Sequence, residues 1–151
     1  MKKIDAFWDT SALAPLCVDQ GASPAARAAL ARRSVTVWWS TPVEMKSAFC
    51  RLRRDGEITS PGFAAALARL ARLEDSWIVI LPGARIRAGA DLLLEKHPLR
   101  AADALQLAAA LVWSGDRPGG APFICLDRRL AEAARQEGFA AEMGTGQDSG
   151  F

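Results

Sequence analysis

Residues Ile4 to Leu13 read IDAFWDTSAL, and the change of pattern inside this stretch decides the fold. Ala6-Phe7-Trp8 is a short continuous apolar run, the mark of a strand buried on both faces. Asp9-Thr10-Ser11 cuts the run off, and Ala12-Leu13 opens a helical pattern. A carboxylate therefore stands where a strand hands over to a helix. In an open parallel sheet that position borders the crevice beyond the carboxyl ends of the strands, where ligands bind.

The same alternation continues along the chain. Val35 to Ser40 (VTVWWS), Trp77 to Leu81 (WIVIL) and Phe123 to Leu126 (FICL) read as further strands, with Ala140 to Met143 as a short edge strand. Between them lie helical patterns over Ser11–Cys17, Ala25–Arg33, Val43–Arg54, Ser60–Leu73, Ala84–Lys96, Arg100–Trp113 and Asp127–Glu137. Their boundaries carry chemistry. Ser23-Pro24 and Ser60-Pro61 are helix starts. Thr41, Pro42 and Glu44 fit a capping box with Thr41 as the cap, and Gly138 fits the residue after a helix end. Trp38 and Trp39 should point into opposite helical layers, and Trp8, Trp77 and Trp113 should be core. Strands alternating with helices predict a parallel sheet covered on both faces. The expected architecture is a three-layer α/β/α sandwich around a central parallel sheet of four to five strands. Residues 1–143 form one domain, and 144–151 (GTGQDSGF) form a flexible tail.

The 151 residues suit one core. No apolar run reaches the roughly 18 residues of a membrane span. The N-terminus meets Asp5 and Asp9 too early for a signal-peptide apolar region, so a cytoplasmic protein is expected. Cys17, Cys50 and Cys125 show no CxxC spacing and read as buried free thiols of a reducing compartment. His97 is the one histidine, which removes the usual zinc and Ser-His-Asp schemes.

Four acids have positions that make sense together. Asp9 follows the first strand, and Glu44 lies in the first turn of the helix after the second. Asp127 follows the fourth strand. Asp103 joins them if its helix starts at the same edge of the sheet. First-turn acids also serve simply as partners of a helix dipole. Asp103, flanked by Ala101, Ala102, Ala104 and Leu105, is harder to explain that way, because an unpaired charge in an apolar helix is costly. Four carboxylates without histidine or thiolate make a hard-oxygen donor set, suited to Mg²⁺ or Mn²⁺. With these four committed to a cation, 13 of the 17 acids remain against 19 basic residues, a surplus of six. A moderately basic surface around an acidic hole would suit a polyanion held on a metal, although any one arginine fits a solvated helix face as well or better.

The motifs DTSAL at Asp9, TPVEMKSAFCR around Glu44, RAADALQLAAAL around Asp103 and LDRRLAEAARQEGF from Asp127 resemble the four acidic motifs of PIN-domain ribonucleases. The likeness is nearest to the VapC toxins of bacterial VapBC toxin–antitoxin pairs and spans nearly the whole chain. The resemblance implies a PIN-like fold and a Mg²⁺- or Mn²⁺-dependent endoribonuclease. It also implies a homodimer and a VapB-like antitoxin that plugs the site. Asp9, Glu44, Asp103 and Asp127 would be the catalytic, metal-holding quartet. Ser11, and less directly Thr10, would support the carboxylates from behind. Arg51, two turns along the helix from Glu44, would touch RNA phosphate or antitoxin, or else pair with a neighbouring acid. Gln106, one turn after Asp103, would reach a phosphate or lie on the helix surface. The family often has a hydroxyl residue two positions before the fourth acid; here it is Cys125, a poorer hydrogen-bonding group. The aliphatic helices ending at Arg54 and Leu73 would offer an apolar face to a partner.

Two other readings compete. A non-catalytic PIN-like module would bind RNA or protein through the same surface. An aspartate-nucleophile phosphatase would use Asp9 but usually needs a second acid two residues on, where this chain has Ser11.

Overall fold

A computed structural model describes residues 2–18 and 24–142. Its strands are β1 (Phe7–Trp8), β2 (Thr36–Trp38), β3 (Ile78–Ile80), β4 (Pro122–Ile124) and β5 (Ala140–Glu142). They form one parallel sheet in the order β3-β2-β1-β4-β5, with Phe7 opposite both Thr36 and Phe123. The helices are α1 (Thr10–Cys17), α2 (Pro24–Arg32), α3 (Thr41–Arg54), α4 (Ser60–Glu74), α5 (Ala84–Lys96), α6 (Ala101–Trp113) and α7 (Arg128–Gln136).

Successive strand residues point to opposite faces, and each face buries its own core. Trp8, Val37 and Ile124 pack with α1 to α4 around Leu13, Met45, Phe49 and Leu70. Phe7, Trp38 and Phe123 pack with α5 to α7 around Leu93, Leu107 and Leu130. On the second side Phe123 stacks on Phe7 with ring centroids 5.6 Å apart. The molecule is thus a three-layer α/β/α sandwich. Helix α6 packs deep, with Ala104 and Gln106 to Ala110 all buried, as its alanine-rich apolar pattern predicts.

Several local expectations are corrected. Trp38 enters the α5–α7 core, but Trp39 lies beyond the end of β2 and is 56% exposed. Strand pleating no longer sets its direction there. Cys17 and Cys125 are buried free thiols, whereas Cys50 is only half-buried. Thr41 does not cap α3. The residue before the helix is Ser40, and neither hydroxyl bonds a first-turn amide. Ser40 donates to the Glu44 carboxylate instead, and Thr41 accepts from Gln106. By contrast, Thr59 caps α4 by accepting from the Gly62 amide. The edge strand β3 is the least covered part of the sheet, with Ile78 exposed. The cap Ser23, the end of the edge strand at Met143 and the 144–151 tail lie outside the described residues. Among the described residues no helix is long and apolar enough to cross a membrane.

Candidate active site

The three central strands end side by side, and each is followed by a polar residue that starts or precedes a helix. Asp9 follows β1 and caps α1, with its side chain accepting from the Ser11 amide at 3.1 Å. Asp127 follows β4 by three residues and caps α7, accepting from the Leu130 amide at 3.0 Å. Glu44 lies in the first turn of α3, which follows β2. Asp103 lies in the first turn of α6. All four line one cavity of about 700 Å³, together with Arg51, Arg100, Arg128 and Arg129. The four acids that the sequence singles out therefore face one space, from four separate segments.

Asp9 is the most deeply held, only 4% exposed. Its Oδ2 accepts from the Ser11 hydroxyl at 2.6 Å as well as from the Ser11 amide. The Ser11 hydroxyl in turn accepts from the Leu126 amide at 3.0 Å, which ties α1 to the chain leaving β4. Burial pushes the Asp9 carboxyl up to about 7, and repulsion from Asp103 and Glu44 adds to it, against the Ser11 hydrogen bonds. Burial likewise lifts Asp103 to about 6, helped by the charges of Asp127 and Glu44 and opposed by Arg100. Burial comes first for both carboxyls, and the charge of the neighbouring acids adds to it.

Glu44 is held on both oxygens. Ser40 donates to Oε2 at 2.5 Å and Thr10 donates to Oε1 at 3.2 Å. Thr10 thus supports Glu44 rather than its chain neighbour Asp9. Gln106 lies neither on the helix surface nor on the cavity wall. It is fully buried, and its Nε2 donates to Thr10 and Thr41 at 3.1 Å each, with Glu44 at 3.4 and 3.5 Å. Cys125 packs behind Asp9, with Sγ 3.8 Å from Asp9 Oδ2, 3.7 Å from Ser11 Oγ and 3.3 Å from the Asp127 carbonyl. Burial and the neighbouring acids push its thiol well up, so it remains a neutral, weak donor.

The donor set of this cavity, four carboxylates and no nitrogen or sulfur ligand, fits a hard divalent cation. The side chains are not already gathered around one point. Among the described residues no three His, Cys, Asp or Glu side chains are arranged to hold an ion as they stand.

Ser40, Thr41 and Arg100 are the contributors that sequence reasoning passed over. Ser40 stands four residues before Glu44 and Arg100 three before Asp103, spacings that place side chains together on a helix start.

No family model matches the sequence, and no curated relative matches it. Among solved structures, a toxin-antitoxin complex from Klebsiella pneumoniae is similar, with a TM-score of 0.57 and 16% identity. The match covers 82% of this chain and 88% of that one. At that identity the likeness is one of fold.

Proposed function

We propose that this protein is a divalent-metal-dependent endoribonuclease of the PIN-domain, VapC-like type, the toxin of a toxin–antitoxin pair. The observation that carries the reading is the cavity itself, where four acids from four segments line one space together with four arginines. The motif resemblance supports it, as does the fold shared with a toxin-antitoxin complex.

In this reading Asp9, Glu44, Asp103 and Asp127 would hold Mg²⁺ or Mn²⁺. A bound ion supplies an activated water and offsets charge building on the phosphoryl oxygens. The chain's own residues do the rest. Ser11 grips Asp9 through Oδ2 and takes no hold of Oδ1. Arg128 and Arg129 also line the cavity, as does Arg51, and guanidiniums there would attract and orient a phosphodiester backbone. Arg100 moderates the repulsion that falls on Asp103. The antitoxin, or a second copy of the chain, would find an apolar groove between α3 and α4 lined by Val43, Cys50, Leu67 and Leu70.

The arginines that line the cavity also suit one second reading, a non-catalytic module that binds RNA through the same side chains. One experiment separates the two. Purified protein freed of any antitoxin is incubated with structured RNA in Mg²⁺, Mn²⁺ or EDTA. Cleavage that needs the ion and is lost in Asp9→Asn supports the nuclease. RNA binding without cleavage in any condition supports the module and refutes the nuclease.

A further inference from the structure

We infer that Gln106 is a positioning residue that fixes the Glu44 carboxylate relative to the segments carrying Asp9 and Asp103. The inference rests on the reading of this cavity as a cation site.

Glutamine is a poor choice for this position on stability grounds alone. Gln106 is fully buried in the most apolar helix, between Ala104 and Leu107, and its Oε1 has no hydrogen-bond partner. A buried acceptor left unpaired costs about 1–3 kcal/mol. Methionine would fill the same space without that cost. What glutamine supplies is the other end of its amide. Nε2 reaches Thr10 Oγ1 and Thr41 Oγ1 at 3.1 Å and both oxygens of Glu44 at 3.4 and 3.5 Å. Because Thr10 accepts from Gln106, its own proton is directed at Glu44 Oε1, 3.2 Å away.

The geometry of that link matters more than the number of bonds. Ser40 also holds Glu44, but Ser40 immediately precedes the same helix and sets the carboxylate only relative to α3. Gln106 lies one turn after Asp103 on α6, and Thr10 directly follows Asp9 at the start of α1. The amide therefore ties the second acid to the two elements that bear the first and third. Partners behind metal-ligating carboxylates act in this way, and losing one typically costs tenfold or more in metal affinity.

The test is Mn²⁺ binding by calorimetry and electron paramagnetic resonance on wild type, Gln106→Met, Glu44→Gln and the double variant, with thermal unfolding of each. The expected result has three parts. Gln106→Met unfolds no lower than wild type, binds Mn²⁺ roughly tenfold more weakly, and makes no further difference once Glu44 is Gln. A residue serving only the core would lower the unfolding temperature and leave the affinity alone. Unchanged affinity in Gln106→Met, or an equal loss in the Glu44→Gln background, overturns the inference. Thr10→Val provides the second route: it removes the hydroxyl between amide and carboxylate, and wild-type Mn²⁺ affinity in this variant also overturns it. The Glu44 side-chain carboxyl ¹³C resonance is compared between wild type and Gln106→Met without metal. A wild type that binds no Mn²⁺ refutes the cation reading of the cavity. In that case an unmoved Glu44 resonance overturns the Gln106 inference as well, and a moved one upholds it.

Discussion

Asp9→Asn should make the metal-free protein more stable at neutral and alkaline pH and, on the proposed cation site, should abolish any stabilisation by Mg²⁺. Asp9 is buried, and its carboxyl is raised from 3.8 to about 7. The folded chain therefore keeps a proton that the unfolded chain gives up. The contribution of Asp9 to stability is therefore greatest at low pH, falls as pH rises from about 4 to 7, and levels off above that. At ~1.4 kcal/mol per pH unit the full penalty is about 4 kcal/mol, and Asp103, raised to about 6, acts in the same direction. Asparagine keeps an oxygen for the Ser11 amide and is an equally good helix cap, but carries no charge. Part of the gain is offset because its amide hydrogens must find acceptors, so we expect roughly 1–3 kcal/mol at pH 8, or about 3–10 °C in unfolding temperature. The assay is thermal unfolding from pH 5 to 9, with EDTA or Mg²⁺. Wild type in EDTA should lose stability up to pH 7, and the variant should lose much less. Mg²⁺ should raise the wild type above pH 7 and leave the variant unmoved. A flat wild-type profile, or a variant less stable than wild type at pH 8, would refute the reasoning.

Other predictions address neighbouring features. Cys125→Ser replaces a weak donor beside Asp9 and Ser11 with a strong one. The carboxylate form should be better held, and the fall in stability between pH 5 and 7 should become shallower by the same unfolding assay. Phe123→Ala removes the ring packed between Phe7 and Phe139 at the centre of the sheet. It should cost about 3–5 kcal/mol in urea unfolding. Replacing Arg128 and Arg129 with Ala in the Asp9→Asn background should weaken RNA binding by fluorescence anisotropy. It should also reduce the slope of log affinity against log salt by about 0.7 for each phosphate that the protein no longer neutralises.

The layer architecture is legible in the sequence because it depends on local pattern. Short apolar runs such as Ala6-Phe7-Trp8 and Phe123-Ile124-Cys125 bury on both sides, and α1, α4 and α7 begin at residues whose side chains cap them. The four acids are legible for a related reason: each lies within a few residues of a strand end or in the first turn of a helix. What the pattern does not carry is competition between partners. Thr41, Pro42 and Glu44 spell a capping box, yet the Thr41 hydroxyl is taken by a buried amide, and the Glu44 carboxylate by the hydroxyl of Ser40. Gln106 reads as a surface residue or a ligand contact because its partners Thr10 and Thr41 lie 96 and 65 positions away. Trp39 reads as core because strand pleating is assumed to continue one residue further than it does. The strand order is likewise a property of the crossovers rather than of any one segment.

That order places β1, the first strand made, in the middle of the sheet, with β4 as one of its neighbours. The pairing of Phe7 with Phe123 joins positions more than a hundred residues apart, a contact of the kind that slows folding. During synthesis the N-terminal half emerges first, but β1 then has only one flank. A ribosome-bound fragment ending short of Asp127 contains three of the acids and lacks the fourth, with the two arginines that follow it in the cavity wall. If the protein is a nuclease, its own translation proceeds without exposing the message to a working site, and activity begins only as the last third of the chain closes over the first.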